Sequence, residues 1–93
     1  MLGDDPAPTG VAGRVITVAG APVAGAVIVH RTSEGEPCSP HDVANLTGPQ
    51  GFFQAPLSPG LCLVSAKLHG RATPKVAVEI EQGRLTIVTL VMP

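Results

Sequence analysis

Hydrophobic and polar positions along this chain alternate in short runs rather than in helical stripes. KVAVEIE (75–81) is the cleanest case: Val76, Val78 and Ile80 share one phase, and Lys75, Ala77, Glu79 and Glu81 share the other. Successive side chains of a strand point to opposite faces, so this run predicts a half-buried strand with its aliphatic side in the core. Six further β-prone runs precede or follow it: GRVITV (13–18), AVIVHRT (26–32), DVANLT (42–47), FFQAP (52–56), LCLVSAK (61–67) and RLTIVTLV (84–91). In AVIVHRT and LTIVTLV both phases are apolar, which means either burial on two faces or aliphatic side chains left outside.

Turn signals separate the runs at intervals of about ten residues. They are Ala19-Gly20-Ala21-Pro22, the polar loop Ser33 to Pro40, Gly48-Pro49-Gln50-Gly51, Ser58-Pro59-Gly60, His69-Gly70 and Gln82-Gly83. Pro59-Gly60 suits a tight turn, because proline presets one φ and glycine supplies a positive one. Gly25-Ala26 is expected to let a neighbouring backbone approach closely. No 11-residue window carries a helical stripe free of Gly or Pro. Seven short strands at this spacing predict an all-β antiparallel sandwich or barrel rather than βαβ units. Residues 1–10, with Pro6, Pro8, Asp4 and Asp5, are expected to form an extended N-terminal arm, and residues 11–93 the domain.

Composition narrows the function classes. Ninety-three residues suffice for one small domain, and ten Pro and eleven Gly disfavour long helices. Two Phe and no Trp or Tyr leave few stacking platforms for bases or sugars. A formal charge of −1 gives no electrostatic footprint for nucleic acid, so no nucleic-acid partner is expected. No apolar run approaches the roughly 20 residues that span a bilayer, so no membrane insertion is expected. MLGDDPAPTG lacks the basic and apolar segments of a signal peptide. The expected location is therefore either the compartment of synthesis or, for a mature form, the periplasm or exterior. Cys38 and Cys62 lack CxxC spacing and fit equally two buried thiols or one disulfide, the latter implying an oxidising compartment.

The order GRVITVAGAPVAGAVIV, then TGPQGFFQAPLSPGLCLVSAKLHG, then an alternating terminal strand resembles the carboxypeptidase regulatory-like domain. The positions that carry the resemblance are Gly13, Val15, Gly20, Pro22, Val23, Gly25, Ala26, Ile28, Thr47, Gly51, Phe53, Leu57, Pro59, Gly60, Val64 and Gly70, spread over about residues 10–92. The resemblance implies a transthyretin-like, Greek-key β-sandwich that serves as an accessory module. Cys62 stands where the family has a Tyr after Pro-Gly, and Arg71 where it has an aromatic after the later Gly. If Cys62 points inward as that Tyr does, a bond to Cys38 requires the 33–40 loop to fold over.

Signatures of chemistry are sparse. The Tyr-Arg-Gly-Ser motif of the similar hydroxyisourate hydrolases is missing, and no histidine begins an HxxE zinc-peptidase pattern. His30, Cys38, His41 and His69 include metal-ligating types, but their spacing matches no metal motif, so no metal or other cofactor is expected. Ser33, Ser39, Ser58 and Ser65 lack a nucleophile elbow. Asn45-Leu46-Thr47 forms a glycosylation triplet, read here as a strand end near a turn. Two readings of function result. The first is a non-enzymatic module, an accessory subunit of a membrane complex or a virion or tail decoration. The second is a small-ligand or metal carrier with His30 or His69 as a contact. Setting the phase by the resemblance, Val15, Ala26, Ile28, Cys62 and Val64 face inward. Ile16, Val27, Val29, Leu61 and Leu63 then face out, as candidates for contact with a protein partner or a second copy.

Overall fold

The computed structural model describes residues 8–39 and 45–93. The expected arm lies mostly outside this range. Thr9 is docked on the domain: its carbonyl accepts from the Leu57 N–H (3.1 Å) and its hydroxyl from the Gly83 N–H (2.8 Å).

Eight strands and no helix make up the described chain: β1 Gly10–Thr17, β2 Val27–Arg31, β3 Asn45–Leu46, β4 Phe52–Pro56, β5 Gly60–Leu68, β6 Arg71–Ala72, β7 Val76–Ile80 and β8 Leu85–Met92. They form two sheets packed as a sandwich. One has the order β4-β1-β8; the other runs β3-β2-β5-β6, with β7 also on β5. β6 and β7 share one flank of β5, β7 opposite Gly60–Val64 and β6 opposite Lys67–Leu68.

Two expectations need correction. The strand count is eight rather than seven, because Arg71-Ala72 folds back on Leu68 and Lys67 in a tight hairpin. His69, at φ 50°, turns that corner together with Gly70. Two residues are too few to show a period, so this strand had no signature in the hydrophobic pattern. The sandwich is also not wholly antiparallel: β1 and β8 run parallel over eight residue pairs, Gly10 with Leu85 through Thr17 with Met92. Alternation reports which face of a strand is buried and carries no information about a partner some 75 residues away.

The inward phase is as expected. Val15, Ala26, Ile28, Cys62 and Val64 are all buried, with Val11, Phe53, Ala55, Ala66, Val78, Ile80, Leu90 and Met92 around them. Small side chains make a thin core, and Gly13 shows how closely its layers are set. A Cβ on Gly13 would overlap the Val88 carbonyl and press on the Phe53 ring. Gly25 works differently from the expectation. It has open space around its missing Cβ, and its φ of 74° is what selects glycine. The backbone it turns is fastened by Thr47, whose buried hydroxyl accepts from the Ala26 N–H (2.9 Å) and donates to the Val23 carbonyl (2.7 Å).

Candidate interaction surface

Four of the five outward candidates come together on the outer face of the five-stranded sheet. β2 pairs antiparallel with β5, so Val27 lies opposite Lys67, Val29 opposite Ser65 and Arg31 opposite Leu63. Directly opposed residues share a face. On the far flank of β5, Leu61 lies opposite Glu79 and Leu63 opposite Ala77. On β3, Leu46 lies opposite Val27. The result is a diagonal aliphatic stripe, Leu46–Val27–Val29–Leu63–Leu61. Lys67 borders one end, and Arg31 and Glu79 the other. Leu61 is 56% exposed and Val27 39%, while Val29 and Leu63 are half-buried between them. Six residues of strand separate the Leu61 row from the Val27 row, about 20 Å.

Ile16 does not join this stripe. β1 belongs to the other sheet, and the chain crosses between the layers over residues 18–26 before β2 begins. The half-buried Ile16 pairs with Val91 on the opposite outer face of the sandwich.

That second face carries apolar groups that the strand pattern had left unassigned. Phe52 is 59% exposed and Ile87 74%, and Val91 is also exposed. Arg14 holds the Phe52 ring from above, its guanidinium carbon 5.0 Å from the ring centre while its Nε donates to the Gln50 carbonyl (2.9 Å). Ala12, Arg14, Phe52, Ile87 and Thr89 bound a largely apolar depression of about 400 Å³. The clue in the sequence was the two-sided apolarity of LTIVTLV, but a partnerless strand phase did not say which of those side chains stays outside.

Cys38 and Cys62 form a disulfide, with their Cα atoms 6.2 Å apart. The loop after β2 does fold over. Arg31 and Pro37 make an isolated bridge, the Cys38 N–H donates to His30 Nδ1 (3.3 Å), and the Ser58 N–H donates to the Cys38 carbonyl (2.8 Å). A cleft of about 290 Å³ beside the disulfide is lined by Thr32, Pro37, Ser39, Ser58 and Leu61 among others.

The ligating residue types are dispersed. Cys38 is consumed in the disulfide, His30 is buried beneath it, His69 sits at the β5–β6 corner, and His41 lies outside the described residues. Among the described residues no group of three or more His, Cys, Asp or Glu is placed to hold a metal ion. Among the described residues no helix is long and apolar enough to cross a membrane.

No known family profile matches this chain, and no curated protein does. Among solved structures, the fold is similar to that of a DUF3823 family protein from Parabacteroides merdae. The TM-score is 0.60 at 17% identity, over 92% of this chain and 46% of the other. This chain thus spans about half the length of that neighbour. The likeness is one of fold.

Proposed function

We propose that this chain is a non-enzymatic interaction module of the carboxypeptidase regulatory-like, transthyretin-like type, acting as an accessory subunit in a larger protein assembly. The observation that carries the reading is the stripe Leu46–Val27–Val29–Leu63–Leu61 on an outer face that water would otherwise wet. Complete burial of a Leu or Val side chain is worth about 1.5–3 kcal/mol, and the half-exposed members of the stripe retain part of that. Charges at both ends, Lys67 on one side and Arg31 and Glu79 on the other, would orient a docking partner. A fold that makes up under half of the Parabacteroides neighbour is consistent with use as a module. The disulfide supports maturation in an oxidising compartment.

The test replaces Leu61 with Ser, alone and together with Leu63→Ser, in tagged protein produced in its native host. Under this reading the native assembly seen by size-exclusion chromatography disappears while circular dichroism and thermal midpoint stay near those of the parent. If the single variant unfolds, or if the double variant still co-migrates with the assembly, the stripe is not the docking surface.

A further inference from the structure

We infer that the depression on the outer face of the three-stranded sheet binds a compact apolar monocarboxylic acid, with the Arg14 guanidinium holding the carboxylate. This surface lies on the far side of the sandwich from the aliphatic stripe, and the inference does not depend on the role of that stripe. Register builds the site. β1 pairs with β4 on one flank and β8 on the other, which sets two rows across the face: Gln54–Ala12–Ile87 and Phe52–Arg14–Thr89. Ala12 puts only a methyl group at the centre of the first row. The face dips there between taller side chains, and the depression holds about 400 Å³. That volume lies within the roughly 300–1,000 Å³ of small-molecule sites. Its apolar walls include Phe52 and Ile87, both exposed.

Arg14 gives the site its chemistry. Every other outward position of β1, β4 and β8 is uncharged. The half-buried Arg14 side chain is fixed at two points, Nε on the Gln50 carbonyl and the guanidinium over the Phe52 ring. Among the described residues its terminal nitrogens have no hydrogen-bond partner, and no carboxylate pairs with it. A guanidinium carries its N–H donors in a rigid fork, and those left over here suit the two oxygens of a carboxylate. Both anchors order the fork before any ligand arrives, which lowers the entropic cost of binding.

One cation in an uncharged, apolar face matches one negative charge. A second charge on the ligand would be set against the Ile87 wall without a partner. An amine would meet Arg14 as a like charge. A neutral isostere would lack charge-assisted hydrogen bonds, which are roughly twice as strong as neutral ones. The ligand class that satisfies both halves of the site is a carboxylate on a small hydrocarbon body.

The test is a titration of the full chain with cyclohexanecarboxylate at constant ionic strength, followed by amide chemical shifts. A body of this size with one side left in water gives a Kd of about 1 mM, so the series runs to about 20 mM. The amides of Ala12, Arg14, Phe52, Ile87 and Thr89 shift together and saturate. Acetate, cyclohexanecarboxamide and cyclohexylmethylamine lack the body, the charge and the correct sign in turn, and each binds at least roughly fivefold more weakly. Arg14→Gln raises Kd at least roughly fivefold. Ile87→Ser, at an exposed position, raises it too, and Leu61→Ser on the other face leaves it unchanged; circular dichroism checks that each variant is folded. Absence of saturable shifts at these five residues overturns the inference, as does equal affinity for the carboxylate and its amide, or a Kd unmoved by Arg14→Gln. Two further results overturn it by naming another occupant. Shifts of the same residues on dilution of ligand-free protein would mark a second copy, and binding seen only in a chain starting at Pro8 would mark residues 1–7.

Discussion

Replacing both Cys38 and Cys62 with Ala should cost this domain a large part of its stability. The bond joins residues 24 apart. A closed ring of that size removes about 12 cal/mol/K of entropy from the unfolded chain, about 3.5 kcal/mol at 25 °C. Truncating two buried side chains adds to the loss. A domain of this length has roughly 5–14 kcal/mol in total, and about 3.5 kcal/mol corresponds to a fall in thermal midpoint of roughly 15–25 °C. The native loop should nonetheless stay near its place. The bridge of Arg31 to Pro37 and the hydrogen bonds of Cys38 to His30 and Ser58 do not involve sulfur. Urea titrations of parent, reduced parent and double variant, with amide exchange at Ser58, separate the two effects. The reduced parent and the variant should both have a lowered midpoint, the variant's the lower of the two, reductant should not shift the variant further, and Ser58 should keep its protection. A loss under about 1 kcal/mol would refute the reasoning, since the unfolded chain would then gain little freedom from the cut.

Other expectations follow from single contacts. Gly13→Ala sets a methyl group into the Val88 carbonyl and should cost about 3 kcal/mol or more, read as a fall in urea midpoint. Thr47→Val leaves the Ala26 N–H and the Val23 carbonyl without the hydroxyl, a loss of about 2–4 kcal/mol, and Thr47→Ser should recover most of it. A chain starting at Gly10 should be less stable than one starting at Pro8 by about 1–2 kcal/mol, because Thr9 bonds both Leu57 and Gly83. Far-ultraviolet circular dichroism should show β structure with helix well under a quarter.

Strand phases were legible because burial on one face imprints a period of two. Alternation alone placed Val78 and Ile80 inside, whereas Val15, Ile28 and Val64 inside and Leu61 outside rested on the family resemblance, because their runs are apolar in both phases. Pairing was not legible, because it depends on contacts between distant segments. Ile16 was grouped with Val27 on phase alone, although the two lie on opposite outer faces. The parallel ladder of β1 with β8 was hidden for the same reason, and with it the exposure of Ile87 and Val91. The bond between Cys38 and Cys62 depended on the path of the loop between them, where turn residues allowed either outcome. Thr47 carried a signal in the resemblance, but its two hydrogen bonds are visible only once β2 and β3 are paired.

The parallel ladder between the first and last strands has a mechanical consequence. Because β1 and β8 point the same way, the start of β1 and the end of β8 lie at opposite ends of the ladder. Tension applied at those two points pulls along the strands and across the hydrogen bonds between them. Their evenly spaced bonds would be loaded together in shear instead of opening one after another like a zipper. Single-molecule pulling from residues 10 and 92 should therefore need a much higher force than pulling across the β5–β6 hairpin. A domain joined this way can sit in a chain under load and hold its shape while its neighbours extend.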